Sequence, residues 1–277
     1  SKCSDSGTEL DCGGGICGYD YVIQCDEGGG GSGGTQTDDG IITTPIGGGG
    51  GSNTTKNPCT TIKKLKNDFT FKSKLGVLKN SAAIDNFEKC SVVFNSPTPT
   101  TTSAFNYTDT QGSPNKPEAT YETWSNMQGV IHSHYQGLIS IFSPGDLQDL
   151  YNQMNWSLIT DDFFIGVVTA EGTAYILQVL DRQAFINFGS QYLADEKKVK
   201  KFMEREYDKK YNIKTINSKE VNEKNFLTMM NELNMGVSLA GTTYNPTTTP
   251  TSPSLFNNLP VKTIDDMTQE VKNTNCN

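Results

Sequence analysis

The chain contains two histidines, His132 and His134, and both fall in the stretch GVIHSHYQGLISIFSPGD at 129–146, with Ser143 and Asp146 just downstream. In a strand, side chains at i and i+2 share a face, with Cα atoms about 7 Å apart, so two such imidazoles can converge on one ion. Adding the Asp146 carboxylate gives a three-ligand set for Zn²⁺ that leaves the fourth tetrahedral position to water, the open form of catalytic sites. Bound there, zinc would lower the pKa of that water towards ~7 and polarise a carbonyl. Such chemistry also needs a general base close to the water.

Local elements must hold these groups. The run GVIHSH reads as a buried strand, with Ser133 on the face opposite the histidines. SPGD has the form of a helix start: Ser143 as N-cap, Pro144 in the first position and Asp146 at N3, where a carboxylate also complements the helix dipole. A capping box alone would account for Ser143 and Asp146 without any metal. The helix would continue through SPGDLQDLYNQM, with Leu147, Leu150, Tyr151 and Met154 on one stripe. DFFIGVVTAEGTAYILQVLD then reads as a hairpin turning at Glu171 and Gly172. Two helices are expected at about 182–211 and 218–240. Upstream, Ile62, Leu65, Phe69, Phe71, Leu75 and Leu78 suggest helical turns with one apolar face. The polar stretch at 95–119 reads as a long surface loop.

The order HSH, a short spacer, then SxxD resembles the JAMM metalloproteases of the JAB/MPN fold. Their motif is an upstream Glu, HxH, seven residues, Ser, two residues and Asp. Here eight residues, 135–142, separate His134 from Ser143, and Tyr135 stands where the family often has Pro. Gly137 offers a place to absorb the extra residue. The resemblance covers about 59–180. It implies an α+β domain, a mixed MPN/cytidine-deaminase-like sheet flanked by helices. It also implies that His132, His134 and Asp146 hold Zn²⁺ and that Ser143 steadies the oxyanion or the water. The family's glutamate opens an early strand after the first helix, and NFEKCSVVF fits that context, which implies Glu88 as the base. Glu118 and Glu122 in PEATYETW are its rivals. Cupins and amidohydrolases need histidines this chain does not have. With both imidazoles on a metal, no cysteine retains a histidine partner for nucleophilic catalysis.

Composition bounds the rest. A net charge of −8 argues against nucleic acid or an anionic membrane as main partner, because both demand a basic face. The lysines at 197–210 alternate with acids and read as a solvated helix face. No apolar run approaches the ~20 residues that span a bilayer. Cys3, Cys12, Cys17 and Cys25 crowd a segment with almost no core-forming residues. A zinc ribbon would suit CGGGIC, but the spacings are irregular and contain no CxxC pair, which favours disulfides and an extracytoplasmic protein. The expected organisation is a Cys-rich segment at 1–25, a Gly/Ser/Thr-rich tether at 26–58, the catalytic domain at 59–240, and an extended tail at 241–277 draped over it. A Cys59–Cys276 bridge would close the domain's ends together, although spacing does not fix connectivity. Cys90 would then remain as a buried thiol. Overall likeness is to secreted or outer-surface-anchored proteins of Gram-negative bacteria.

The expected function is a zinc-dependent peptidase or isopeptidase acting on a protein or peptide. The alternative is a non-catalytic JAMM-like binding module, or an accessory subunit of a cell-surface assembly joined through the N-terminal segment.

Overall fold

The structure, a computed structural model, describes residues 56–123, 127–155, 159, 162–246, 256–265 and 267–276. The Cys-rich segment and nearly all of the tether lie outside them, so the pairing expected among Cys3, Cys12, Cys17 and Cys25 does too. Two helices come first, α1 (Pro58–Asn67) and α2 (Phe69–Ile84). Asp68 separates them. Its backbone closes α1, and its carboxylate accepts from the Phe71 amide at 2.7 Å to cap α2. Ile62, Leu65, Phe71, Leu75 and Leu78 are buried as their spacing predicts, whereas Phe69, in the first turn of α2, is 54% exposed.

Eight strands form one mixed open sheet: β1 (Lys89–Asn95), β2 (Phe105–Gln111), β3 (Met127–His134), β4 (Phe164–Thr169), β5 (Thr173–Val179), β6 (Val237–Thr243), β7 (Val261–Ile264) and β8 (Val271–Thr274). Their order is β2-β1-β3-β4-β5-β6-β7-β8. β3 and β4 are parallel and every other neighbouring pair is antiparallel. The parallel pair needs a crossover, supplied by α3 (Pro144–Asn155). β4 and β5 form the expected hairpin, with Gly172 at φ +85 in the turn. All eight residues of β3 are buried, because helices cover both faces of the sheet. Val93, Ile131, Phe164, Val168 and Ile176 pack with α1 and α2. Residues of the opposite parity, Val92, Val130, Ile165, Val167 and Leu177, pack with α3 and the later helices. The fold class is therefore α+β.

Four sequence expectations are corrected. The loop at 95–119 contains β2, an edge strand whose Thr- and Asn-rich residues face largely outward. The helix expected at 182–211 is three segments: α4 (Arg182–Tyr192), α5 (Glu196–Phe202) and a π-helical continuation (Met203–Lys210). The helix expected at 218–240 ends early, as α6 (Lys219–Glu232), and is followed by β6. Positive φ at Asn234 and Gly236 turns the chain between them. The tail does not simply drape over the surface, because β7 and β8 extend the sheet. Cys276 is bonded to Cys59, and Cys90 is a buried free thiol.

Candidate metal centre

The even-numbered positions of β1 and β3 face α3, and this parity assembles the site. Cys90 lies opposite His132 in the antiparallel register, and Glu88 precedes it by one more step on the same face. Ser133 points away, and its hydroxyl accepts the Lys89 amide at 2.9 Å, fastening the start of β1 to β3. The Glu88 backbone is held from both sides. Its N–H donates to the Pro117 carbonyl at 2.7 Å, and its carbonyl accepts from Gly112 at 2.9 Å. A Cβ on Gly112 would lie 2.3 Å from the Pro117 oxygen, so this close backbone approach requires glycine.

Glu88, His132, His134, Ser143 and Asp146 are all nearly or fully buried. The two Nε2 atoms face each other at 3.1 Å. His132 Nε2 lies 3.1 Å from one Asp146 oxygen, and His134 Nε2 lies 3.5 Å from the other. Glu88 Oε1 is 4.0 Å from His134 Nε2. Among the described residues, Glu88, His132 and His134 form a group that could hold a metal ion, with their ligand atoms within 4.8 Å of one another.

Hydrogen bonding identifies the free lone pairs. His134 Nδ1 is 2.8 Å from the Ile139 carbonyl, which can only accept, so Nδ1 carries the proton and a neutral ring leaves Nε2 bare. Metal-ligating histidines are oriented in this way. The capping box is also present: Asp146 N–H donates to Ser143 Oγ at 3.2 Å, and Ser143 N–H donates to Asp146 Oδ2 at 2.6 Å. The oxygen nearest His132 is Oδ1, which the cap leaves free, whereas the contact to His134 is made by Oδ2, the capping oxygen.

The residues fit a cation. Neither oxygen of Glu88 has a hydrogen-bond partner. Burial, followed by the Asp146 charge and the Cys90 thiol, pushes its carboxyl well above the usual range; the Ala119 amide opposes this without bonding geometry. Burial also works to raise the Asp146 carboxyl, but the imidazoles, His132 foremost, more than offset it and hold it well below the usual range. Ligand atoms around four-coordinate zinc lie about 3.3–3.4 Å apart for bonds of about 2.0–2.1 Å. The Nε2–Nε2 distance and the 3.1 Å from His132 Nε2 to Asp146 Oδ1 fall close to that value, while His134 Nε2 lies 3.5 Å from Oδ2, the oxygen that caps the helix.

The spacer between His134 and Ser143 is anchored along its length. Gly137, at φ +98, makes the turn in which Leu138 N–H reaches the Tyr135 carbonyl at 3.1 Å. Thr173 donates to the Ser140 carbonyl at 2.8 Å, and Asn222 donates to Ser140 Oγ at 3.0 Å. Tyr207 donates to the Phe142 carbonyl at 2.7 Å. Sequence inspection did not find Asn222 and Tyr207 as positioning residues. They lie 82 and 65 positions from their partners, on segments with no motif. Of the rivals to Glu88, Glu118 is half-buried and close enough to act electrostatically on Glu88, whereas Glu122 is exposed.

No protein-family model, curated protein or solved structure matches this chain. No helix among the described residues is long and apolar enough to cross a membrane. The Cys59–Cys276 disulfide is compatible with an oxidising compartment.

Proposed function

We propose that the protein is a zinc-dependent peptidase or isopeptidase of JAMM-like architecture, working outside the cytoplasm on a protein or peptide. The observation that carries this is the buried carboxyl of Glu88, with neither oxygen hydrogen-bonded, beside two imidazoles whose Nε2 atoms face each other. His132, His134 and Asp146 would hold the metal, leaving Glu88 as the general base. When bound, the metal would activate water and polarise the substrate carbonyl. Glu88, with its raised pKa, is suited to take a proton from the attacking water and return it to the leaving amine. Ser143 Oγ accepts from Asp146 N–H, which leaves its own proton free to donate towards a developing oxyanion. Buried apolar side chains around the site keep the dielectric low and strengthen these interactions.

Elemental analysis of protein purified without chelator tests the metal: about one zinc per chain is expected, and none in His134→Ala. Peptide hydrolysis tests the base. Glu88→Gln should retain zinc while its rate falls by a factor on the order of 10²–10⁴. A zinc-loaded wild type that cleaves no peptide would leave the binding-module alternative.

A further inference from the structure

Beside the metal centre lies a cleft of about 350 Å³. That is within the range of ligand sites, about 300–1,000 Å³. Its wall is mostly apolar: Ile139, Val199, Met203, Tyr207, Ile213 and Ile216. Two contacts join it to the centre. Ser143 lines the cleft and caps Asp146, and Ile139 lines it while its carbonyl fixes the His134 ring.

The walls are braced from the same loop. Tyr207 ties the π-helical segment to Phe142. The fully buried Asn222 bridges Ser140 to the opposite wall, accepting from Lys214 N–H at 3.1 Å and donating to the Lys214 carbonyl at 2.8 Å. π-Helical turns are rare and recur at functional sites, and this one supplies Met203, Glu204, Tyr207 and Asp208 to the cleft. At the rim, Lys214 is paired with Asp208 at 3.4 Å. Glu204 adds a further negative charge, so the rim disfavours an acidic group. Ile216, 88% exposed, carries the apolar wall out to the mouth of the cleft.

We propose that this cleft is the side-chain subsite of the metal centre and that it receives a bulky apolar residue, aromatic or long aliphatic, adjacent to the bond presented to the metal. This rests on the peptidase reading for the role of the bound peptide, but the cleft's recognition of the side chain can be measured separately. A peptide whose side chain is seated against Met203, Ile213 and Ile216 would pass Ser143, the cleft residue that caps Asp146.

The test has two arms, both on the zinc-loaded full chain. In the binding arm, N-acetyl-phenylalaninamide and N-acetyl-aspartamide are titrated while methyl resonances of Met203, Ile213 and Ile216 are followed. The first should shift them saturably and the second should not. Ile216→Asp should weaken the response by roughly tenfold or more, with Ile216→Leu restoring it. In the cleavage arm, decapeptides varied at one central residue should be cut with at least roughly tenfold preference for Phe or Leu over Asp. Methyl shifts without cleavage would uphold the cleft and overturn the peptidase. Cleavage without apolar preference or methyl shifts would uphold the peptidase and overturn the cleft.

Discussion

If Glu88 is a buried acid that a cation normally neutralises, removing its charge should stabilise the metal-free protein. Glu88→Gln keeps the side-chain shape. The wild-type carboxyl is fully buried, has no hydrogen-bond partner and has a pKa raised by burial and by Asp146. A group whose folded pKa lies above its unfolded value of about 4.3 contributes stability that is fully present below that value. The contribution is lost as pH rises through the folded pKa. Wild type should therefore lose stability relative to Glu88→Gln as pH rises above about 4.3. Asp146 works in the opposite sense, contributing stability above its unfolded pKa of about 3.9 that is lost as pH falls. It is present in both proteins and largely cancels in their difference. The Gln amide would be as unpartnered as the protonated carboxyl, so only the charge separates the two proteins, at about 1.4 kcal/mol for each unit by which the folded pKa exceeds the unfolded one. For a domain of this size about 1 kcal/mol corresponds to about 2–4 °C in Tm. Thermal unfolding in EDTA, followed by circular dichroism from pH 4.5 to 8, should show the variant's advantage growing from near zero by about 3–6 °C for each unit by which the folded pKa is raised. Zinc should narrow that gap, because a nearby cation offsets the charge on Glu88. A gap independent of pH, or a wild type that is more stable at pH 8 in EDTA, would refute the orphaned-acid account.

Asp146→Asn preserves an acceptor for the Ser143 amide but removes a charge, so the helix should persist while zinc affinity falls at least roughly tenfold; titration against a chromogenic chelator reads this directly. Cys59→Ser opens a bridge spanning 217 positions, and the chain-entropy estimate puts the loss at up to about 5 kcal/mol, measurable by urea unfolding. Alkylation followed by mass spectrometry, without reductant, should leave Cys90 unlabelled in the native state and labelled after unfolding, with Cys59 and Cys276 unlabelled throughout.

The sequence alone determined what depends on neighbours along the chain. Strand alternation put His132 and His134 on one face, SPGD specified the capping box, and Gly137 marked a turn in the loop between His134 and Ser143. These are short-range consequences of backbone periodicity and side-chain hydrogen bonding. Local pattern failed where tertiary context outweighed propensity. β2 lies in a polar stretch because an edge strand needs only one partner and can face water. Val237–Thr243 pairs with β5 instead of extending α6, because sheet pairing buries Leu239 and Ala240. Only the tertiary structure brought Glu88 beside His134, 46 residues later in the chain, and denied both its oxygens a hydrogen-bond partner. The same holds for Asn222 and Tyr207, whose bonds to the ligand loop cross from separate helical segments. Burial and the convergence of distant side chains are properties of the packed chain. They decide the electrostatics of the site, and no run of adjacent residues encodes them.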